Sequence, residues 1–217
     1  MVTLSTGSLD NPPATRLFIG NVGGDTTFVR IYRSSALEPE FVLAETTNNI
    51  YNDYTAVNGI IQTYRAVEVT GSLEGSQASK THVLPINSWW MVDLDDISNS
   101  IELFVDGSSS LNIQSTENQA KFTPLGRRNP LVIKDQLVKG DEVRFTIQLL
   151  NSEEVIAFHK LRDMQKVLLI QSPVINQQWF FVFGSDVTEQ VMNVVDDYRI
   201  INFEAIEVDR PFLVPYQ

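Results

Sequence analysis

The strongest strand signal in the first half of the chain is QTYRAVEVT, residues 62–70. This segment is rich in β-branched and aromatic residues, which favour extended backbone. A second clear strand is TTFVRIYR, residues 26–33, in which Val29 and Ile31 share one face. Short strands of this kind, separated by turn-forming residues and with almost no helical periodicity around them, are typical of β-sandwiches and barrels.

Short strands and turns continue on both sides of these segments, and the chain divides into two parts. The first part contains only short strands and turns, including a predicted turn at Gly71–Ser79 and a closing strand at Lys80–Ile86. After Asn87-Ser88 the motifs change, so we place a domain boundary there. The expected fold is all-β, with one β-sandwich domain in residues 1–87 and a second in residues 88–217.

The second part holds the one segment with convincing helical periodicity, Ser152–Gln165. Asn151 or Ser152 can cap its first turn, and three apolar residues spaced three apart form a stripe along one face. The stripe consists of Val155, Phe158 and Leu161. We therefore expect one short α-helix in the second domain. Strands are predicted around it over Trp89–Leu94, Ile101–Val105, Val143–Leu150, Val167–Gln171, Gln178–Gly184 and Asp197–Val208.

Composition excludes several classes of function. The 217-residue chain has a formal net charge of −11, whereas nucleic acids and anionic membrane surfaces attract basic proteins. We therefore expect no nucleic-acid partner and no membrane insertion. Cysteine is absent and the only histidines are His82 and His159, which excludes cysteine-based and multi-histidine metal sites. With no phosphate-loop or dinucleotide motif present, we expect neither a metal nor a cofactor.

The titratable residues form no pattern that predicts catalysis. His159 lies in the middle of the predicted helix and His82 on a strand, where packing or surface roles are expected. A glycosidase needs two carboxylates that face each other across a cleft, whereas neighbouring acids at strand ends usually form solvated turns. These neighbouring acids are Asp93, Asp95, Asp96, Asp196 and Asp197. We therefore expect no enzyme and assign no catalytic residue.

Two features suit protein–protein contacts. Arg127 and Arg128 stand together on a turn bounded by glycine and proline, and this pair either contacts an acidic neighbouring surface or is solvated. In the strand WFFVF, both alternating sets of residues are apolar, so it is either fully buried or lies at an interface. Its interface candidates are Trp179, Phe181 and Phe183, although burial in the core is favoured.

The motifs of the second part resemble the minor tail proteins of siphophages that infect actinobacteria. The resemblance covers residues 88–211 and is carried by FTPLGRRNP at residues 122–130 and FEAIEVDRP at residues 203–211. The strand and helix order between these two runs agrees with it. The first part resembles a fibronectin type III or immunoglobulin-like module, on the segments Ile31-Tyr32-Arg33 and Tyr64-Arg65-Ala66-Val67, but no tryptophan marks its early strands.

The resemblance implies a structural protein of the virion, located in the tail or tail tip and assembled in the host cytoplasm. Its implied partners are other tail proteins and copies of itself in a ring or trimer. In a ring, Arg127 and Arg128 are expected to meet an acidic surface such as Asp93–Asp96 of the next subunit. The alternative function is a host-surface binding module of the tail tip that recognises carbohydrate or protein.

Overall fold

The computed structural model describes residues 1–105, 112–115, 119–122, 131–134 and 141–208, with side chains in 1–105 and 143–208. The described part consists mainly of β-strands arranged in several sheets, with one α-helix, so the predicted all-β class is confirmed. Contacts divide the chain into two compact units. The described residues of the first unit are 1–103 and 168–179, and those of the second lie within 104–167 and 180–208. The domain boundary at Asn87-Ser88 stays a prediction.

The first unit begins with seven antiparallel strands. The strands are β1 Thr3–Asp10, β2 Pro13–Gly20, β3 Phe28–Ser35, β4 Phe41–Thr46, β5 Ile50–Asp53, β6 Ile61–Thr70 and β7 Leu73–Val83. They form a three-stranded sheet in the order β1-β2-β5 and a four-stranded sheet in the order β4-β3-β6-β7. Both sheets contribute to one hydrophobic core, which includes Leu17 of β2, Ile31 of β3 and Tyr64 of β6. The two sheets therefore share this core.

Three further strands belong wholly or partly to the first unit. They are β8 Trp89–Val92, β9 Ile101–Val105 and β14 Leu168–Gln171. Strand β8 pairs antiparallel with both others, through Met91 opposite Ile101 and Val92 opposite Leu169. All four residues of β14 are buried, so this short strand has no solvent-facing side.

The second unit contains a sheet and the α-helix. Its elements are β10 Asn112–Ser115, β11 Gln119–Phe122, β12 Leu131–Lys134, β13 Asp141–Leu149, α1 Ser152–Asp163, the greater part of β15 Gln178–Asn193, and β16 Tyr198–Glu207. Strand β16 lies between β13 and β15 and pairs antiparallel with both. Strand β10 pairs with the other side of β13, and β11 and β12 form a separate two-stranded antiparallel sheet.

Helix α1 forms where the periodicity predicted it. The side chain of Asn151 accepts hydrogen bonds from the backbone N–H groups of Glu153 and Glu154, both at 3.0 Å. These bonds satisfy two donors that have no partner inside the helix. The predicted apolar stripe is the buried face, and the helix ends at Asp163, two residues before the predicted end.

Replacing Asn151 with alanine is expected to lower the free energy of unfolding by about 1 kcal/mol, because the two N–H groups lose their acceptor. Asn151→Asp is the matched control, since its carboxylate keeps an acceptor at the same position. Urea unfolding followed by circular dichroism measures both variants. Equal stability of the alanine variant and the wild type would show that this cap contributes nothing.

Two predicted strand boundaries differ widely from the structure. Residues Gly71–Ser79 were expected to form a turn, but β7 begins at Leu73 and pairs along β6. Strand β7 is the last of its sheet, and its small and polar side chains face solvent. A strand in this position can form without an apolar pattern in its sequence. Strand β15 was expected to end at Gly184 but continues to Asn193. The register shifts between Phe183 and Val187, so the polar residues between them are left out of the pairing with β16. Pairing resumes at Val187.

Candidate functional site

A buried ion pair lies at the end of the core of the first unit. Arg33 Nη1 is 2.7 Å from Asp53 Oδ2, and their side chains are 0% and 1% exposed. The same guanidinium donates from Nη1 to Thr55 Oγ1 at 2.9 Å and from Nη2 to Glu38 Oε2 at 2.9 Å. Strand residues two apart share a face, so the side chain of Arg33 lies on the same inward face as Val29 and Ile31. Asp53 neutralises the buried charge of Arg33.

Asp53 is also saturated with hydrogen bonds. Tyr64 Oη donates to Oδ2 at 2.8 Å, while the backbone N–H and the hydroxyl of Thr55 donate to Oδ1 at 2.9 and 2.8 Å. Burial by itself raises the pKa of this carboxyl, but the charge of Arg33 and these donors outweigh burial, so the pKa lies below its usual value. The carboxylate therefore stays ionised inside the protein.

This depressed pKa predicts an acid-dependent loss of stability. A carboxyl whose pKa is lower in the folded state stabilises the protein above its unfolded pKa of about 3.9, and this contribution disappears as the pH falls below that value. The free energy of unfolding of the wild type and of Asp53→Asn should therefore converge below about pH 4. Urea titrations between neutral and acid pH measure the gap. A difference in the free energy of unfolding between the two proteins that stays constant over this pH range would contradict the lowered pKa of Asp53.

Polar side chains join the two-sheet core to the 168–179 segment within the first unit. Gln171 Nε2 donates to the backbone oxygens of Pro13 at 2.8 Å and Tyr54 at 2.7 Å. Asn58 accepts from the N–H of Ile86 at 2.9 Å and donates to the oxygen of Pro173 at 2.6 Å. The three contacts of Gln171 and Pro173 connect residues more than 100 positions apart, so the segment is fixed to the core by directional bonds.

A groove of about 390 Å³ opens in the first unit, and most of its lining comes from β4 and β5. Among the described strands, each of these two is the last of its sheet. The lining is completed by Asn48, Tyr54, Thr55, Leu94 and Ile97. We call this feature the edge-strand groove. Its volume lies in the range of pockets that hold a small molecule or a few side chains of a partner.

The second unit has an aromatic core. Phe158 of α1 packs edge-on against Phe183 at 5.6 Å and tilted against Phe203 at 5.6 Å between ring centroids. Phe145 stacks on Phe203 at 5.2 Å, and Phe181 meets Phe183 at 5.4 Å. Phe181 is completely buried and Phe183 is partly exposed. Of these two interface candidates, only Phe183 keeps surface that a partner can reach.

The remaining interface candidates lie elsewhere. Trp179, in the first unit, stacks on Trp89 with ring centroids 6.1 Å apart and is 8% exposed. Arg127 and Arg128 lie outside the described residues. The interface role of all five candidates stays a prediction.

The end of strand β15 and the loop that follows it expose apolar side chains to solvent. We call the four residues of this surface the apolar hairpin end: Val191, Met192, Val194 and Val195, which are 50%, 49%, 86% and 91% exposed. Polar bonds order the loop, since Asn193 accepts from the N–H of Val195 at 2.9 Å and donates to Asp196 at 2.7 Å. The periodicity of the sequence did not indicate this surface, because the strand was expected to end before it.

An ion cluster lies on the same hairpin. Glu189 of β15 accepts from Arg199 Nη1 at 3.0 Å and from Arg162 Nη1 at 3.4 Å, and its Oε1 lies 3.2 Å from His159 Nε2. Arg199 also donates to Asp197 at 2.7 Å, which holds the pKa of that carboxyl below its usual value. His159 is thus a packing residue of a charged surface, as the sequence indicated.

The other acidic and histidine residues singled out by the sequence have structural partners. Asp93 is buried and accepts from the N–H groups of Asp95 and Asp96, so it organises a turn without being solvated. His82 lies 3.0 Å from the hydroxyl of Ser8, and burial lowers its pKa. Within the described side chains, no group of three or more metal-ligating residues could hold an ion.

The chain matches no protein-family model and no curated protein. Among the described residues, the one α-helix is too short and too polar to cross a membrane.

Proposed function

We propose that this protein is a structural, non-enzymatic component of a bacteriophage tail or tail tip. Its partners are other tail proteins and further copies of itself. The observation that carries the proposal is the apolar hairpin end, where the last residues of β15 and the loop after it display four apolar side chains to solvent. Exposed apolar clusters of this kind mark protein–protein contacts more often than isolated apolar residues do.

The proposal includes a finer assignment of the fold, with two β-sandwich domains in residues 1–87 and 88–217. The first is of the fibronectin type III or immunoglobulin-like kind. Support comes from the three-stranded and four-stranded sheets that share one core, with β2 beside β5 and β3 beside β6. Neighbours that are not consecutive in the chain are typical of the Greek-key connections of such sandwiches.

Purified particles of the phage that encodes this chain provide the test. Mass spectrometry is expected to find the protein at a fixed number of copies per particle, and electron microscopy with labelled antibodies is expected to locate it on the tail. A protein made during infection but absent from purified particles would overturn the proposal. Antibody access to intact tails distinguishes the structural role from the alternative host-binding role. A ring component is covered by its neighbours, whereas a host-binding module is distal and exposed.

The arginine pair provides a more specific prediction. Replacing both Arg127 and Arg128 with glutamate should reduce incorporation of the protein into tails, because reversed charge would repel an acidic neighbouring surface. The melting temperature of the isolated protein should not change. Quantitative mass spectrometry of particles assembled with the variant measures incorporation. Normal incorporation at an unchanged melting temperature would show that the pair is only solvated.

A further inference from the structure

One asparagine side chain connects its own turn to two other segments of the first unit. Asn58 lies between β5 and β6 and is 6% exposed. Its Nδ2 donates to the backbone oxygens of Pro173 at 2.6 Å and Ile86 at 3.3 Å, and its Oδ1 accepts from the N–H of Ile86 at 2.9 Å. Its backbone oxygen accepts from the N–H of Asn176 at 3.1 Å. We call these four contacts the Asn58 joint.

The joint requires an amide at residue 58 and excludes an acid. Carbonyl oxygens only accept hydrogen bonds, and an ionised carboxylate also only accepts them. An aspartate at this position would therefore place a negative charge against the oxygens of Pro173 and Ile86 and would leave both without their donor. Losing a donor in a buried place costs more than losing one that water can replace.

The residue that follows makes this amide chemically reactive. Asn58-Gly59 is the only Asn-Gly step in the chain. Asparagine deamidates when the backbone nitrogen of the next residue attacks the side-chain carbonyl carbon, and glycine hinders this attack least because it has no Cβ. The turn also requires the glycine. Its φ is +70°, and a Cβ there would lie 3.0 Å from Cγ1 of Ile175.

The folded state holds both reacting groups in place. The nitrogen that would attack, the backbone nitrogen of Gly59, donates to the oxygen of Leu84 at 3.2 Å. The amide that would be attacked is held by the bonds of the Asn58 joint. Ring closure brings the nitrogen of Gly59 onto Cγ of Asn58, so these bonds must first break. The reaction therefore requires local opening of the first unit.

We propose that Asn58 is a site of spontaneous deamidation, protected only while the Asn58 joint is closed, and that its conversion loosens the 168–179 segment from the two-sheet core. The nitrogen of Gly59 bonds to Cγ of Asn58 and loses its proton to water, and the amide nitrogen leaves as ammonia. Water then adds to the cyclic imide and opens the ring, which yields aspartate or isoaspartate without any oxidant or reductant.

Either product carries a carboxylate where the joint needs a donor, so a transient opening becomes a permanent one. The carboxylate retains the ability to accept from Ile86 but no longer donates to Pro173. This inference does not depend on the proposed tail function, because it concerns only the chemistry and the contacts of the isolated chain.

Peptide mapping by mass spectrometry measures the conversion of Asn58 during incubation at mildly alkaline pH. Conversion in denaturing urea is expected to be at least about tenfold faster than in the native protein, because the native reaction requires opening. Gln171→Ala removes the bonds to the oxygens of Pro13 and Tyr54 and should speed the native reaction. Gln77→Ala is the control, since Gln77 is exposed and contacts Arg65.

Urea below the unfolding transition replaces Gln171→Ala should that variant fail to fold, and it should likewise raise the native rate. Equal rates in the native and denatured protein, or no conversion of Asn58 in either, would overturn the proposal. A native rate that neither Gln171→Ala nor dilute urea alters would overturn it as well.

Hydrogen exchange tests the consequence of deamidation. In Asn58→Asp, the amide of Asn176 in a peptide covering residues 172–178 should exchange at least about tenfold faster than in the wild type. Asn48→Asp adds the same charge at an exposed residue and should leave this exchange unchanged. Should Asn58→Asp fail to fold, Asn58→Ala removes the same donor without adding charge and should also speed exchange. Exchange at the wild-type rate in the residue-58 variant would show that the joint does not hold the segment.

Discussion

Replacing Asp53 with alanine is expected to lower the free energy of unfolding by about 3–5 kcal/mol. The substitution removes the main counter-charge of a guanidinium that is 0% exposed. Glu38 alone then remains to balance Arg33, and its own side chain is 37% exposed. The large loss arises mainly from leaving a charge buried without its partner, and less from the attraction between the two groups.

A surface ion pair provides the control for this experiment. Glu40→Ala removes the partner of Arg65, which lies 2.6 Å away, but both side chains are partly exposed at 46% and 26%. Water screens such a pair, so the loss is expected to stay within about 1 kcal/mol. Urea unfolding measures both variants. Equal losses for Asp53→Ala and Glu40→Ala would contradict the role assigned to the buried pair.

A double substitution separates the two contributions. Arg33→Met with Asp53→Leu removes both charges and fills much of their space with apolar atoms. Replacing a whole buried ion pair in this way is often neutral, so the double variant should be more stable than Asp53→Ala alone. A double variant that is less stable than Asp53→Ala would contradict the view that the unpaired charge of Arg33 causes most of the loss.

Replacing Phe158 with alanine is expected to lower the free energy of unfolding by about 3–5 kcal/mol. This side chain is completely buried and contacts the rings of Phe183 and Phe203, both at 5.6 Å between centroids. Its removal leaves a cavity between helix α1 and the sheet of the second unit. Both the lost burial and the unfilled space reduce stability.

Helix α1 itself supplies the matched control. Ile156 is two residues away and is 67% exposed, so Ile156→Ala should change the free energy of unfolding by no more than about 0.5 kcal/mol. Urea unfolding followed by tryptophan fluorescence and by circular dichroism measures the two variants. Similar losses at both positions would show that the helix does not use the apolar face described above.

The sequence contains a sign of the buried ion pair that the predictions did not include. Val29 and Ile31 were assigned to one face of their strand, and Arg33 is the next residue on that face. A charged residue in such a place predicts a buried partner of opposite sign. The sequence did not identify Asp53 as that partner, because the pairing joins strands of two different sheets.

The apolar hairpin end and the edge-strand groove could not be predicted. The groove depends on which strands lie last in their sheets, and sheet order is a long-range property. The residue type of Val194 and Val195 does not distinguish them from core residues, because exposure is not visible in a valine. Pairing with β16 carries β15 past the polar residues near Gly184, and only this continuation brings the loop to the surface.

The sequence alone determined the all-β class, most strands, and the position and buried face of the one helix. These features depend on the alternation of apolar and polar residues in strands and on apolar residues three to four apart in the helix. Both patterns are local to a single strand or helical turn. The tertiary structure alone decided the partner of Arg33, the burial of Phe181 and the surfaces left exposed. These depend on contacts between residues far apart in the chain, and local preferences leave such contacts open.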